Sequence, residues 1–557
     1  MAGLVVGIVA LPLAIAFAIA ASPGGDAEHT IGPGIGIITA IVAGLIISLF
    51  GGSRVQIGGP TGAFIIIIYG VVAKFGLSGL LVATILAGVM LVLMGVFRLG
   101  SVIKFIPYPI VVGFTSGIAL TIFTTQVKDL LGLTLEGGAP AAFIDKWMCY
   151  FRNITTLQWD AVAVSAVSIA IIVACTRWMK RLPGSLIAII VTTATVYFTN
   201  QSGLTHVATI GDRFGNITAS LPHINAFHLD WKSLFTDAQG HFTFNTLSAL
   251  FPSAFVIAIL GAIESLLSAT VADGVTGDHH DSNQELIGQG IANIVAPFFG
   301  GIPATGAIAR TMTNINNGAR TCIAGVVHAL VLLVIFIVAM PLAAYIPMPT
   351  LAGVLVVVSY NMSQWRTFAQ LTHRPKSDVV VLLVTFVLTV VFDLTIAIEL
   401  GLVLACLLFM RRMAEVTQLS IFTKEIDPNA DPVADIPLHE EALVIPDGVE
   451  VYEINGPFFF GVANRFEEMT AEMQDHPAIR IIRMRRVPFI DSTGVHNLEN
   501  LCLMSQRDGT QIILSGVQPK VRAVLERAGF PALIGEDNIC SHITIALERA
   551  AALRAKA

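Results

Sequence analysis

The chain has 557 residues, of which 55% are hydrophobic and 13% are charged, and its formal net charge at pH 7 is −6. Soluble domains carry charge on roughly a quarter of their residues, so this composition excludes an ordinary soluble enzyme and predicts a polytopic membrane protein. The small net charge gives no indication of a nucleic-acid partner, and six scattered cysteines without metal-ligand spacing predict neither a metal site nor a disulfide framework.

Apolar segments long enough to cross a bilayer follow one another from the start of the chain. A transmembrane helix needs about 20 apolar residues, and by that measure we predict an α-helical membrane protein with fourteen segments, two of them half-helices. The first seven are residues 3–21, 32–50, 60–75, 77–96, 108–131, 160–177 and 184–199. The second seven are residues 247–273, 283–298, 304–319, 321–345, 348–361, 378–393 and 395–412. No basic region precedes the first segment, so we interpret it as a transmembrane helix and not as a cleaved signal peptide.

Glycine and proline interrupt two of these segments with nearly the same residues. Residues 58–63 read GGPTGA and residues 301–307 read GIPATGA, and each stretch opens a short apolar run. Paired interrupted segments in two halves of a chain are typical of secondary transporters, with the site at the repeat interface. The interpretation as two unrelated kinks stays open, because glycine and proline are common in membrane helices.

The second interrupted segment also carries an arginine. Broken backbone at membrane depth persists only where it is packed in protein or lines a cavity. The helix that restarts near Ala307 would present free N–H groups and a positive dipole end to that cavity. Arg310 lies one turn further on, and an arginine at mid-membrane costs about 2.5–3.5 kcal/mol, so it needs a partner or a task. These features predict an anion site, to which the hydroxyls of Thr61 and Thr305 could also donate.

Glu264 is an acidic residue in the middle of the eighth segment. Two interpretations compete: a static partner for Arg310, or a proton-binding site coupled to anion movement. The second is favoured, because a buried ion pair is weak evidence for a role in stability.

Basic residues concentrate in the short loops on one side of the predicted membrane, including Arg411 and Arg412 at the end of the last segment. This bias predicts that both termini are cytoplasmic. Beyond Arg412 the composition changes, and we predict a membrane domain over 1–412, a linker over 413–439 and a cytoplasmic α/β domain over 440–557. The predicted strands of that domain are 449–454, 479–484 and 511–514, and its predicted helices are 465–474, 493–507 and 520–528.

Asp491, Ser492 and Thr493 lie at a predicted strand-to-helix turn of the α/β domain. The ordinary interpretation is that Asp491 or Ser492 caps the helix. A hydroxyl at a helix N-terminus would also tolerate a phosphate group.

Taken together, these residues resemble the SulP family of anion permeases, and the tail resembles a STAS domain through its residues 491–494. The matching stretches are residues 58–63, 113–119, 126–132, 261–264, 283–290 and 300–310. The resemblance implies a 7+7 inverted repeat with a core domain from spans one to four and eight to eleven. Spans five to seven and twelve to fourteen would form a gate domain.

The resemblance also implies where substrate and coupling ion bind. Carried over by position, the substrate-binding residues are Thr61, Gly62, Ala63, Phe64, Ala307, Ala309 and Arg310. Relatives that carry bicarbonate have an aspartate in span eight that helps bind sodium. Glu264 stands there in this chain, which favours protons over sodium. Leu13 stands where many relatives have glutamine, which removes one polar contact to the substrate.

The expected function is secondary active transport of small anions in a bacterial inner membrane, by proton-coupled symport with alternating access. Spans eight to ten are similar to the aerobic C4-dicarboxylate transporters of enterobacteria, so C4-dicarboxylate is the first substrate expected, followed by sulfate and bicarbonate. An anion exchanger, an anion channel, a sodium-coupled bicarbonate carrier and a regulatory membrane protein stay open as alternatives. No enzymatic activity, metal or cofactor is expected.

The STAS resemblance carries three further expectations. Thr493 corresponds to the hydroxyl that is phosphorylated in related domains. A homodimer is expected through the STAS domains. A cytoplasmic regulatory protein is expected as a further partner of that domain.

Overall fold

The computed structural model describes residues 1–23, 30–103, 107–135, 140, 142–178, 183–215, 245–392, 394–426, 443–460 and 477–555. The chain folds into two compact units, residues 1–405 and residues 406–557. Each unit is treated on its own below.

The first unit is built from helices, with two very short strands at its centre. The helices of its first half are α1 (Ala2–Ala20), α2 (Pro33–Phe50), α3 (Ile65–Val96), α4 (Gly100–Ile103), α5 (Tyr108–Leu131), α6 (Phe143–Arg152), α7 (Trp159–Trp178), α8 (Gly184–Gln201) and α9 (Ile210–Phe214). Those of its second half are α10 (Asn245–Thr276), α11 (Ser282–Val295), α12 (Ile308–Asn316), α13 (Ile323–Ala343), α14 (Met348–Met362), α15 (Trp365–Leu371), α16 (Lys376–Val391) and α17 (Leu394–Val416), which continues into the second unit.

Each of the fourteen predicted segments overlaps one of these helices. Two predicted segments fall on α3, which is broken at Gly76 (φ 67°), the residue between them. Seven of the described helices are long and apolar enough to cross a membrane. A helical membrane fold is confirmed, and the number of crossings stays a prediction.

The helices pack in two groups. Helices α1, α2 and α3 pack with α10, α11, α12 and α13, and helices α5, α7 and α8 pack with α14 and α16. These groups match the expected core domain and, apart from span fourteen (α17), the expected gate domain. Small residues allow the closest approach: a Cβ on Gly88 of α3 would lie 2.7 Å from the carbonyl oxygen of Gly290 on α11, and the reverse distance is 2.6 Å.

The second unit is a sheet with helices on both faces. Its strands are β3 (Gln418–Phe422), β4 (Glu425–Ile426), β5 (Leu443–Val444), β6 (Val449–Asn455), β7 (Ile479–Arg486), β8 (Gln511–Ser515) and β9 (Ile539–Cys540). Its helices after α17 are α18 (Ser492–Arg507), α19 (Pro519–Arg527), α20 (Phe530–Ile534) and α21 (Ile543–Arg554). The main sheet has the order β3-β6-β7-β8-β9 and is parallel except for the antiparallel edge strand β3.

The predicted strands 449–454, 479–484 and 511–514 are confirmed, as are the predicted helices 493–507 and 520–528. The helix predicted over 465–474 lies outside the described residues. The predicted linker, 413–439, is too broad at its start. It contains the end of α17 and strand β3, which pairs with β6 from Gln418 to Phe422. The sequence reading missed this edge strand, because the Pro- and Asp-rich residues that follow it dominated the composition of the region.

Candidate anion site

The two interrupted segments meet at the centre of the helical unit. Strand β1 (Gly58–Gly59) pairs antiparallel with strand β2 (Thr305–Gly306), with Gly58 opposite Gly306. The amide of Ala307 extends this pairing by donating to the carbonyl oxygen of Ile57 at 2.9 Å. The prediction that the two segments face each other is therefore confirmed.

Each short strand leads directly into a helix. A 3-10 turn over Gly62–Phe64 follows β1 and runs into α3, and α12 begins just after β2. Neither Thr61 nor Ala307, the residues that precede these turns, caps its helix with a side chain. Within the described chain, no acceptor is seen for the amides of residues 308–310. These amides are donors that a negative solute could use.

Arg310 is buried beside the strand pair, with 1% of its surface exposed. Its Nη2 donates to the carbonyl oxygen of Pro60 at 2.9 Å. Its Nε and Nη1 have no hydrogen-bond partner among the described residues. A Cβ at Gly59 (φ 153°) would collide with Nη1, so only glycine fits beside the guanidinium.

Glu264, on α10, is partly exposed and accepts a hydrogen bond from Thr61 Oγ1 at 2.9 Å. No ion pair joins it to Arg310 in the part of the chain that the structure describes. The alternative of a direct Glu264–Arg310 pair is therefore wrong, because each group bonds to the first interrupted segment instead. The carboxylate stays available for a proton.

Thr305, like Thr61, bonds to α10. Its hydroxyl is fully buried, lies 2.6 Å from Ser265 Oγ and donates to the carbonyl oxygen of Gly261 at 3.0 Å. The expectation that it donates to an anion is wrong, since α10 occupies it. Both threonines instead attach the interrupted segments to α10.

Buried polar side chains, which the sequence reading did not single out, hold the loops on either side of the strand pair. The Glu285 carboxylate accepts from the amide of Ser53 (3.0 Å) and from the side-chain amides of Gln56 (2.9 Å) and Gln289 (2.8 Å). Asn293 exchanges two hydrogen bonds with the backbone of Ala304, of 2.8 and 2.9 Å. The available signal was an acid and four amide side chains within one apolar segment, residues 283–298.

The other predicted site residues differ in accessibility. Gly62, Ala63 and Phe64 are buried, whereas Ala307 is partly exposed and Ala309 is exposed. A Cβ on Gly62 would lie 2.8 Å from the sulfur of Met362, at the end of α14. Accessible surface at this site therefore comes from the start of α12 and from Glu264.

Leu13, the position that resembles a glutamine site in relatives, lies elsewhere. It packs against an apolar cluster formed by Ile172, Ala188 and Val354 of α7, α8 and α14. A leucine suits this apolar contact between α1 and the second group of helices.

In the second unit, Asp491 caps α18. Its Oδ1 accepts from the amide of Gly494 at 2.8 Å, and its Oδ2 accepts from the amide of Phe460 at 3.1 Å. The interpretation of Asp491 as a cap is confirmed. Ser492 is exposed and Thr493 partly exposed, and phosphorylation of Thr493 stays a prediction.

Comparison with known families agrees with this architecture. The model of the sulfate permease family matches residues 1–385. The chain belongs to the sulfate permease family. The model of the STAS domain matches residues 442–546, so this family member carries a C-terminal STAS domain.

Relatives of this sulfate permease family member are named as anion transporters. The Bacillus subtilis protein YvdB, whose name assigns it provisionally to sulfate transport, is 39% identical over 551 residues that cover 97% of this chain and 95% of the relative. The bicarbonate transporter BicA of Picosynechococcus is 29% identical over 540 residues, or 94% of this chain and 89% of the relative. Similarity to C4-dicarboxylate transporters stays a prediction.

Solved structures that resemble this one include those of two anion transporters. The transmembrane domain of a cyanobacterial bicarbonate transporter BicA superposes with a TM-score of 0.59 at 28% identity and covers 73% of this chain and 96% of its own. The murine Solute Carrier 26 family member A9 anion transporter superposes with a TM-score of 0.82 over 99% of this chain and 90% of its own. Its identity is 19%, so this second likeness concerns the fold alone.

Proposed function

We propose that this sulfate permease family member is a proton-coupled carrier of small anions, with C4-dicarboxylate, sulfate or bicarbonate as substrate. The observation that carries the proposal is the antiparallel pairing of β1 and β2, which brings two uncapped helix starts together beside the buried Arg310. Donor groups and positive charge converge there without an acidic partner for the arginine among the described residues.

The anion would bind to the amides at the start of α12 and to the field of Arg310. Preorganised amides and a buried guanidinium need little rearrangement, and they interact more strongly with charge away from bulk water. The exposed surface at Ala307 and Ala309 supports access to these amides. Thr61, Gly62, Ala63 and Phe64 would complete the site from the other interrupted segment.

Glu264 would supply the coupling. Its ionised carboxylate, beside the same site and bonded to Thr61, would repel an anion. Protonation removes that repulsion, so a proton and an anion would bind together and be released together. Because both would cross the membrane in the same direction, the transport would be symport.

Alternating access would come from movement between the two groups of helices. The tight contact of Gly62 with Met362, and with the Ile122 side chain of α5, lies between these groups. Small residues at such a contact allow the two groups of helices to slide past each other, and Gly62 is a small residue at the site itself.

The test is uptake of labelled succinate, sulfate and bicarbonate into proteoliposomes, with and without an inward proton gradient. We expect accumulation of at least one anion above equilibrium only when the gradient is present. Conductance far above carrier turnover, without accumulation, would establish a channel. Accumulation that follows a sodium gradient instead would establish sodium coupling.

A further inference from the structure

A second cavity lies further along α3, away from the strand pair. Its volume is about 520 Å³. It is enclosed by α1, α3, α5, α6 and α14, with one residue of α9 at its edge. Tyr69 of α3 lines the cavity, five residues beyond Phe64 of the preceding 3-10 turn, which is a rise of about 8 Å. The cavity is therefore a neighbour of the candidate anion site, and it lies on the side predicted to face away from the cytoplasm.

Cationic side chains outnumber acidic ones in the lining of this cavity. Lys128, Lys146 and Arg213 contribute positive charge, and Asp129 is the acidic residue among the described lining residues. Asp129 pairs with Arg213 at 3.4 Å. The two lysines thus give the cavity a net positive charge.

Lys146 is the most buried of these cations, with 4% of its surface exposed. Its ammonium lies 5.0 Å from the centre of the Tyr69 ring. The described residues offer it neither an ion pair nor a hydrogen-bond acceptor. A buried ammonium without an anionic partner is unfavourable, so a bound anion would stabilise it.

Neutral donors surround the same space. Tyr150 is buried and lines the cavity, and burial together with Asp129 raises the pKa of its hydroxyl, so the phenol stays protonated and able to donate. Gln126 is also buried, and its amide donates to Thr125 Oγ1 at 3.0 Å, which leaves a second N–H for a ligand. Ammonium, phenol and amide donors together suit an oxyanion.

We propose that this cavity is a second anion site, where Lys146 binds a small oxyanion on its way to or from the site at β1 and β2. The inference rests on the proposed function, because the cavity would hold the transported anion. Along α3 the anion would pass from Lys146 towards the amides at the start of α12. The positive lining would also raise the local concentration of anions near the central site.

Burial lowers the pKa of Lys146 to about 8, from its ordinary value of 10.5. The ammonium charge is therefore present at pH 7 and is lost as the pH rises above about 8. Anion binding in this cavity should weaken over the same range. The Tyr69 ring lies beside the ammonium, Tyr150 is a neutral phenol in the same lining, and Asp129 pairs with Arg213.

The test uses the full-length Arg310→Ala protein, so that the central site is weakened, and titrates it with sodium sulfate while recording tryptophan fluorescence. Trp147 follows Lys146 in α6 and packs edge-on to Tyr150, so it reports on the cavity. We expect a saturable sulfate response that Trp147→Phe removes. Addition of Lys146→Gln should weaken apparent sulfate affinity about tenfold or more. Lys74→Gln, which removes an exposed lysine outside the lining, should leave it unchanged.

A pH series supplies a second readout that a merely structural role would not move. At about two pH units above the pKa of Lys146, the Arg310→Ala protein should lose its fluorescence response to sulfate. The same protein with Lys146→Arg should keep the response, because the guanidinium keeps its charge. An unchanged sulfate affinity in Lys146→Gln, or an identical pH profile in Lys146→Arg, would overturn the proposal.

The two proposals fail separately. Normal uptake by Arg310→Ala alone would remove Arg310 from the central site, while the dependence of the fluorescence response on Trp147 and Lys146 would still report on the second site. If the titration gave no fluorescence response to sulfate while uptake still depended on Arg310, only the proposal of a second site would be rejected.

Discussion

Arg310 is a buried cation that uses one of its three nitrogens in a hydrogen bond within the described chain. A buried guanidinium with unused donors is unfavourable unless a ligand or water completes its bonding. Its one acceptor, the carbonyl oxygen of Pro60, belongs to the opposite interrupted segment. At the residue scale, Arg310 therefore joins the two segments and holds positive charge between them.

We expect Arg310→Ala to raise KM for every transported anion about tenfold or more, because it removes the fixed charge of the site. Arg310→Lys keeps the charge but not the planar group that reaches Pro60, so it should lose less affinity. Uptake kinetics in proteoliposomes, at equal amounts of inserted protein, measure both. Wild-type KM in Arg310→Ala would contradict a role in binding.

The Glu264→Gln substitution should make uptake independent of the proton gradient. Glutamine keeps a hydrogen-bonding partner for Thr61 but cannot ionise, so the site behaves as permanently neutral. We expect exchange of internal for external anion to persist while accumulation is lost, and Glu264→Asp to keep some pH dependence. Gradient-driven accumulation equal to wild type in Glu264→Gln would assign the proton to another group.

The pairing of β1 and β2 is the feature that matters most at the scale of elements. Two residues from each segment pair through their backbones, and the side chains of Thr61 and Thr305 attach the pair to α10. Because the partners are backbone groups, the geometry depends on residues without side chains at the point of closest approach. Gly59 is that residue.

Gly59→Ala should disturb this element, since its Cβ would collide with Arg310 Nη1 and its backbone angle disfavours other residues. We expect a loss of stability of about 1–3 kcal/mol and a large loss of uptake. Gly70→Ala is the matched control on α3, because a Cβ there meets nothing within 4 Å. Thermal unfolding and uptake should be measured for both variants and compared with the wild type. Equal behaviour of the two would show that the close approach is unimportant.

The sequence predicted the elements well where the signal was local. The interruption at Gly76, the strands of the second unit and the Asp491 cap each depend on a few neighbouring residues. The network around Glu285 could not be predicted in the same way, since its acceptor and the donor Gln56 are 229 residues apart. The partner of Arg310 was missed for a related reason: it is a backbone carbonyl, which leaves no signal in residue type.

At the scale of the whole molecule, the carrier mechanism and the regulatory alternative assign different functions to the two units. The described residues that form the candidate transport site all belong to the unit of residues 1–405. A carrier mechanism therefore predicts that damage to the second unit changes neither KM nor the dependence on protons. The regulatory alternative predicts the opposite.

Asp491→Ala should destabilise the second unit by about 0.5–2 kcal/mol, because α18 loses its cap. We expect faster hydrogen exchange in β6 and β7 with unchanged KM for uptake. Glu548→Ala removes an exposed acid from α21 and serves as the control for both measurements. A changed KM in Asp491→Ala alone would favour the regulatory alternative.

The bond from Arg310 to Pro60 joins groups 250 positions apart, and this separation affects how the protein is made. At about 5–20 residues per second, a ribosome needs roughly 12–50 seconds to supply the second group after the first. Through that interval the glycine-rich backbone of the early half has no pairing strand, and lipid offers no substitute donor or acceptor. We therefore expect the early half to remain beside the insertion machinery, or in contact with water, until the late half has been inserted.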